Sequence, residues 1–193
     1  MSQPLVLGST SPFRKELLAR LGVSFATAKP EIDESSLEGE SPQALVERLA
    51  IEKAKSVGKE HPEALIIGSD QVAVIDDEVL GKPGNRDNAI AQLAAASGQI
   101  VTFHTGLCLL NAASGHLQSL VEPFRVHFRK LQREQIERYV DLEQPFNCAG
   151  SFKSEGLGIS LFRKLEGDDP NALVGLPLIR LIAMLDNEGI KIP

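Results

Sequence analysis

Residues 64–75 read ALIIGSDQVAVI, and this stretch decides the fold class. Its first four residues form a continuous apolar run, which predicts a strand covered on both faces rather than one with a wet face. The run leads into Gly68-Ser69-Asp70-Gln71, and residues 72–75 continue in an extended pattern. We therefore expect a central sheet with helices packed against it.

Toward the N-terminus, the same helix-start signal occurs twice. Ser11-Pro12 and Ser41-Pro42 each place a capping hydroxyl before a proline at the first helical position. The first helix should follow a strand at residues 5–7 and end at Gly22. The second should reach about Gly58. We also expect a strand at residues 23–28 and an acidic loop at residues 30–39.

Toward the C-terminus, the pattern changes to long β-strands. A hairpin signal at residues 111–115 joins two β patterns. The predicted elements are helices at 87–96 and 134–142, strands at 100–110 and 117–128, a glycine-rich stretch at 148–158 and a final helix through Leu185. This order predicts an α/β protein with a mixed, partly antiparallel central sheet flanked by helices. Residues 1–193 should form one domain with two lobes.

Composition excludes several classes of protein. The chain has 193 residues, with 20 Lys and Arg against 26 Asp and Glu, so its formal charge is −6. That charge disfavours binding to a nucleic-acid backbone, and no apolar segment reaches the roughly 18 residues that a membrane span needs. The N-terminus lacks a signal-peptide pattern, and Cys108 and Cys148 form no disulfide framework. These features predict a cytoplasmic protein with reduced thiols.

The turn at residues 8–15, GSTSPFRK, is a candidate anion site. Backbone amides at a helix N-terminus attract anions, Ser9 lies in the turn, and Arg14 in the first helical turn can add a fork of donors. Ordinary helix capping explains the same serine and proline equally well.

Lys53 and Asp70 each have a structural and a functional interpretation. Lys53 shares a helical face with Val46, Leu49, Ala50 and Val57, so it either snorkels to water or faces an anion in a cleft. Asp70 follows the apolar strand and either bonds nearby turn backbone or serves as a metal ligand or proton acceptor.

Lys82 and Glu155 lie among glycines and proline. Lys82 in Gly81-Lys82-Pro83 is either a solvated turn lysine or a phosphate ligand. Glu155 is either a surface carboxylate or a group beside a flat ligand. Three cations, an anion turn and carboxylates on an acidic chain together predict a nucleoside triphosphate site with a divalent metal.

Several motifs together resemble the Maf-like nucleotide pyrophosphatases. These are STSPFRKELL, IDE at residues 32–34, LAIEKA around Lys53, IIGSDQ at Asp70, GKP at Lys82, SGQIVTFHTG and VGLPL. The resemblance runs from about Leu5 to Leu178. It implies a two-lobed fold with a nucleotide cleft and hydrolysis of nucleoside triphosphates to monophosphate and pyrophosphate, with Mg²⁺ or Mn²⁺ as cofactor.

The resemblance also implies roles for individual residues. Asp70 matches the family's proton acceptor. Ser9 and Arg14 match its phosphate-contacting turn. Glu34, Lys53 and Lys82 match its other polar positions. Our own hypothesis is that a divalent ion bridges the triphosphate to Asp70 and Glu34.

Three positions differ from the family branch that acts on pyrimidine triphosphates. Phe13, Gln71 and Glu155 stand where that branch has arginine, threonine and glutamine, a combination similar to the branch acting on 7-methyl-GTP. An aromatic face attracts the cationic methylated ring, and a carboxylate can accept from guanine N1–H and the exocyclic amine. Gln71 could contact sugar or base. Phe13 could instead be a plain core residue.

Two other functions stay open at this point. One is a pyrophosphatase for dTTP, UTP or damaged nucleotides in general. The other is a nucleotide-binding regulator of cell division that does not hydrolyse its ligand. The expected partner is a small nucleotide, with neither nucleic acid nor membrane involved, and a homodimer is compatible with this kind of fold.

Overall fold

The computed structural model describes residues 3–193. In chain order the elements are β1 (Leu5–Gly8), α1 (Pro12–Ala19), β2 (Ala26–Ala28), α2 (Pro42–Gly58), β3 (Leu65–Ile75), β4 (Glu78–Leu80), α3 (Arg86–Ala96), β5 (Ile100–Asn111), β6 (Leu117–Phe128), α4 (Arg133–Glu143), β7 (Phe162–Glu166), α5 (Pro170–Val174) and α6 (Leu178–Asn187). Two short 3₁₀ helices, Ala149–Ser151 and Leu157–Leu161, lie between α4 and β7.

The strands form a mixed sheet with the order β2-β1-β3-β5-β6-β7, and β4 pairs with β3. β1 runs parallel to β2 and to β3, whereas β4 is antiparallel to β3 and β7 is antiparallel to β6. The predicted α/β class with a mixed, partly antiparallel sheet is therefore confirmed. Within residues 3–193, none of the helices combines the length and the apolar character that crossing a bilayer requires.

The described chain divides into two compact units. The first holds the described part of Met1–Asp70, together with Thr105–Glu122 and Asp169–Pro193. The second holds Gln71–His104 and Pro123–Asp168.

In the first unit, the two-residue period of the strands creates two apolar layers. Leu5 and Leu7 join a cluster with residues of α1 and α6, while Val6 between them joins a second cluster with residues of α2. The helices α1 and α6 therefore cover one face of these strands, and α2 covers the other.

Two glycines bring α2 unusually close to the sheet. A Cβ atom at Gly68 of β3 would lie 2.0 Å from the carbonyl oxygen of Ala50, and one at Gly106 of β5 would lie 2.1 Å from that of Val46. Real Cβ contacts are never this short. Only glycine therefore permits this approach, which brings side chains of α2 within reach of β3.

In the second unit, four phenylalanines form the centre of the core. Phe152 makes edge-to-face contacts with Phe103, Phe128 and Phe162, at centroid distances of 5.3, 5.5 and 4.8 Å. Gly150 packs against Phe103 with φ +72°, a left-handed conformation that glycine adopts without strain. The glycine-rich stretch is thus partly explained by packing.

The structure corrects three details of the predicted elements. β2 begins at Ala26 rather than Val23, because only Ala26–Ala28 pair with β1, while Val23 and Phe25 pack on the core. The edge strand β7 and the short helix α5 were not predicted, since the charged sequence FRKLE obscures the alternation of a strand. β3 is continuous from Leu65 to Ile75 and is not interrupted at residues 68–71.

Candidate active site

Lys53 of α2 lies buried between two carboxylates of the first unit. Its Nζ is 2.6 Å from Asp70 Oδ1 and 2.8 Å from Glu34 Oε1. The side chains are 7% exposed for Lys53, 14% for Asp70 and 62% for Glu34. The snorkelling interpretation of Lys53 is therefore wrong, and the interpretation of Asp70 as a turn residue is wrong as well.

Asp70 lies in the middle of β3, which corrects the prediction that it ends a strand. β1 pairs with residues 65–67 of β3, and β4 pairs with residues 73–75. Asp70 therefore occupies the interval between the two paired segments, beyond the carboxyl end of β1. Its neighbour Ser69 reaches a different group, the carbonyl of Gly175 at 3.0 Å, as expected when successive side chains of a strand point to opposite faces.

Arg14 is the second cation of the first unit. Its Nε donates to the carbonyl oxygen of Gly175 at 2.8 Å. Burial lowers the pKa of Arg14 from its ordinary value, although the negative charges of Asp70 and Glu34 act in the opposite direction. Those two carboxylates therefore lie within electrostatic range of both Lys53 and Arg14.

The turn before α1 is built by its own hydroxyls. The N–H of Ser11 donates to Ser9 Oγ at 3.1 Å, and Ser11 Oγ caps α1 by accepting from the N–H of Arg14. Ser9 is buried and Phe13 is half-buried. The predicted cap at Ser11 is confirmed, and it places Phe13 and Arg14 in the first helical turn.

The acidic loop that carries Glu34 is fastened to α2 at two points. Near its start, Ser56 Oγ donates to the carbonyl of Glu31 and accepts from its N–H. Further along, Arg48 donates to the carbonyl of Ser35 at 2.9 Å and to both carboxylate oxygens of Glu40. Glu34 lies between these two attachments, which bring it to Lys53.

Lys82 and Glu155 belong to the second unit, and both are exposed. Lys82 lies between β4 and α3, where Gln92 donates to the carbonyl of Gly81 and Asn88 to that of Pro83. Both charges act on the thiol of Cys148, whose pKa is raised mainly by burial. Gln71, which follows Asp70 on β3, is half-buried.

Glu143 fixes the segment that carries Glu155. Its Oε2 accepts from the N–H of Leu157 at 2.8 Å, and its Oε1 lies 3.4 Å from Lys153 Nζ. The Lys153 N–H also donates to the hydroxyl of Tyr139 at 3.0 Å. Glu155 therefore sits on a short segment that is held on both sides.

The donor set of the first unit can be compared with the needs of a divalent cation. Within the described part of the chain, no three His, Cys, Asp or Glu side chains converge into a metal-binding group. Asp70 and Glu34 nevertheless meet at one cation, Lys53. One or two carboxylates completed by substrate phosphates are a common set for Mg²⁺. The pair fits a metal that arrives with a phosphorylated ligand.

Sequence reasoning missed Ser69, Asp169 and Gly175, which surround Arg14 or support it. Asp169 before Pro170 does carry a helix-start signal, and it caps α5 by accepting from the N–H of Asn171. Gly175 has φ +124°, a conformation that favours glycine, but nothing in its local sequence indicates a contact with a residue 161 positions away.

Comparison with known proteins adds independent information. The family model described as Maf-like protein matches residues 4–188. The 7-methyl-GTP pyrophosphatases of Colwellia psychrerythraea, Alcanivorax borkumensis and Vibrio vulnificus are 61%, 63% and 60% identical to this chain. The alignments cover 97%, 98% and 97% of this chain and 94%, 96% and 96% of those proteins. A solved structure from Vibrio cholerae aligns over 96% of this chain and 93% of its own at 9% identity, with a TM-score of 0.46, too low to carry an argument.

Proposed function

The chain belongs to the Maf-like protein family, and we propose from that premise that it is a 7-methyl-GTP pyrophosphatase, which forms 7-methyl-GMP and pyrophosphate. This activity makes it a hydrolase acting on acid anhydrides. Three relatives that are at least 60% identical over nearly their whole length carry the name of this activity. The structural observation that carries the proposal is the buried Lys53 ammonium between Asp70 and Glu34, with Arg14 in electrostatic range of both carboxylates.

Asp70 accepts the proton of the attacking water in this mechanism. The water oxygen forms a bond to the α-phosphorus, the bond between that phosphorus and the bridging oxygen breaks, and pyrophosphate leaves with the electron pair. Lys53 is within hydrogen-bond distance of Asp70 and holds its carboxylate in place. A positioned carboxylate of this kind is a suitable general base.

Arg14, Lys53 and Lys82 neutralise the charge that develops on the phosphate oxygens. Ser9 contributes to the phosphate-binding turn, in which the Nε of Arg14 is already engaged by Gly175. Asp70 and Glu34 would hold Mg²⁺ or Mn²⁺, which supplies electrostatic stabilisation of the phosphates when bound. The metal requirement is part of the proposal, and omission of both ions should abolish pyrophosphate release.

Phe13 and Glu155 select the base. The half-buried ring of Phe13 offers a face to the cationic methylated guanine, and the exposed carboxylate of Glu155 is available to accept from its N1–H and exocyclic amine. The side-chain amide of Gln71 contributes to this selection by contacting the sugar or the base. An arginine at position 13 would repel a cationic ring, whereas it would not oppose a neutral pyrimidine.

A substrate panel tests the proposal. Pyrophosphate release is measured from 7-methyl-GTP, GTP, dTTP and UTP with added magnesium or manganese. We expect kcat/KM to be highest for 7-methyl-GTP. Similar values for all four would overturn the selectivity argument, higher values for dTTP and UTP would indicate the pyrimidine activity, and binding without hydrolysis would indicate a regulator.

Location and assembly form a smaller part of the proposal. Cys108 and Cys148 are both free thiols, as expected of a protein in the reducing cytoplasm. A homodimer is the assembly that we propose, and light scattering of the purified chain would test it.

A further inference from the structure

Asp169 is a buried carboxylate that the proposed mechanism does not use. It is 1% exposed. Its Oδ1 accepts from the backbone N–H and the side-chain amide of Asn171 at 2.8 and 2.9 Å, and its Oδ2 accepts from the N–H of Ile179 at 2.7 Å. A buried charge is costly unless its oxygens are hydrogen-bonded, and here three N–H groups meet that need. Asp169 thereby joins the start of α5 to the start of α6.

The segment closed by Asp169 contains Gly175. The N–H of Gly175 donates to the carbonyls of Asn171 and Ala172, both at 3.1 Å. Thr105 Oγ1 donates to the same Ala172 carbonyl at 2.9 Å. The N–H of Leu176, which belongs to the same peptide unit as the Gly175 carbonyl, donates to the carbonyl of Asn171 at 3.2 Å. Together with φ +124° at Gly175, these bonds fix the orientation of that carbonyl.

The carbonyl of Gly175 in turn orients Arg14. It accepts from Arg14 Nε at 2.8 Å and from Ser69 Oγ at 3.0 Å. A Cβ atom at position 175 would lie 3.5 Å from Arg14 Nε, so the guanidinium packs directly on this glycine. Within residues 3–193, the side chain of Arg14 donates through Nε, which leaves its two Nη groups for another acceptor. Two Nη groups on a fixed guanidinium match two oxygens of a phosphate.

We propose that Asp169 is a positioning residue for Arg14. It holds the Gly175 carbonyl that engages Nε, so that the Nη groups face the substrate triphosphate without further rearrangement. The identity of the substrate in this inference rests on the proposed function.

A double-mutant cycle tests this role. The variants are Asp169→Asn, Arg14→Lys and the pair, and the measured quantity is kcat/KM for 7-methyl-GTP. We expect Asp169→Asn to lower kcat/KM by about 10- to 100-fold when Arg14 is present. The reason is that the charge-assisted contact between the Arg14 guanidinium and the substrate phosphate is then misplaced. In the Arg14→Lys background, Asp169→Asn should lower kcat/KM by less than about threefold, because the guanidinium that Asp169 positions is absent.

A purely structural role would produce a different result. Equal losses in both backgrounds, within about twofold, would overturn the proposal. The control is Asp77→Asn, the same substitution in an exposed turn, which should leave kcat/KM unchanged. If Asp169→Asn does not fold, the cycle is run with Asn171→Ala, which removes one donor to Asp169 and keeps the carboxylate, under the same criterion.

Binding measurements separate this proposal from the proposed function. The same cycle is measured on inorganic tripolyphosphate by calorimetry, which requires no turnover. Coupling between positions 169 and 14 in binding supports the positioning role even if 7-methyl-GTP is not hydrolysed. If the wild-type enzyme hydrolyses 7-methyl-GTP but the two substitutions have additive effects on both binding and turnover, the positioning role of Asp169 is rejected. The proposed function then stands.

Discussion

The two units carry their predicted site residues in different ways. In the first, Lys53, Asp70 and Arg14 are buried or half-buried, and each makes a hydrogen bond to another part of the same unit. In the second, Lys82 and Glu155 are exposed and project from irregular segments. The triphosphate is common to all nucleotides and is best met by fixed charges, whereas the base differs and can be selected from an exposed segment. We therefore expect changes at Lys53, Asp70 and Arg14 to lower turnover of every substrate. Changes at Glu155, or at the contacts that hold its segment, should instead alter the preference between substrates.

Asp70→Asn should have the largest effect. The amide cannot accept the proton of the attacking water, so turnover should fall by about 10²- to 10⁴-fold for all nucleotides. Pyrophosphate release measures this loss, and circular dichroism verifies the fold. The control is Asp76→Asn, in the exposed turn that follows β3, which should retain activity. Near-normal turnover of Asp70→Asn would remove the general-base assignment.

Lys53→Met should affect both turnover and stability. It removes the ammonium that lies between Asp70 and Glu34. Asp70, the less exposed of the two carboxylates, then loses its ion pair with Lys53. We expect the free energy of unfolding in urea to fall by about 1–3 kcal/mol, below the range for fully buried pairs because Glu34 is largely exposed. Turnover should also fall for every nucleotide tested.

Lys55→Met is the matched control for this change, since Lys55 is exposed on the same helix. It should alter neither stability nor turnover appreciably. Equal effects of the two substitutions would show that the ion pairs of Lys53 contribute neither to stability nor to turnover.

The sequence predicted local features well and distant contacts poorly. Ser11 and Ser41 cap α1 and α2 as predicted, because capping depends on residues at most three positions apart. The apolar stripe of α2 also placed Lys53 correctly on the covered face. The link from Asp169 through Gly175 to Arg14 was missed, because it joins segments 161 positions apart that only tertiary packing brings together.

The continuity of β3 shows the same limitation. Gly68, Ser69 and Asp70 have the composition of a turn, and the sequence left Asp70 open to interpretation as a turn residue. The close approach of α2 at Gly68 and the bond from Ser69 to Gly175 keep this segment extended in the fold. Tertiary contacts therefore decide a local conformation that short-range propensity does not favour.

Glu143→Gln should alter preference more than turnover. The neutral amide weakens the contacts to Lys153 and to the N–H of Leu157, which hold the segment that carries Glu155. We expect the ratio of kcat/KM for 7-methyl-GTP to that for UTP to fall by about 3- to 10-fold, with little change in kcat for UTP. The control is Glu134→Gln, an exposed glutamate in the first turn of α4. An equal loss for both substrates would contradict a role of the Glu155 segment in base preference.

The smallest expected effect is the loss of stability at acid pH that two carboxylates cause, Glu40 in the first unit and Glu166 in the second. Bonds to Arg48 lower the pKa of Glu40 to about 2, and bonds to Lys164 and Arg125 lower the pKa of Glu166 to about 2. Because each pKa is lower in the folded state, the resulting stability is complete above about pH 4.5 and is lost as the pH falls toward 2. Urea midpoints of Glu40→Gln and Glu166→Gln should therefore lie below the wild-type midpoint at pH 6, with a gap that narrows at pH 3.

Activity distinguishes these two variants. The bonds of Arg48 to Glu40 and to the Ser35 carbonyl fasten the loop that presents Glu34 to Lys53. Glu40→Gln should therefore also lower kcat/KM, by about 2- to 5-fold. Glu166 pairs with residues of β6 and β7 in the second unit, and its replacement should leave kcat/KM unchanged. A gap in urea midpoint that stays constant between pH 3 and pH 6 would contradict the lowered pKa values. Equal activity of the two variants would show that the attachment of the Glu34 loop to α2 does not limit the reaction.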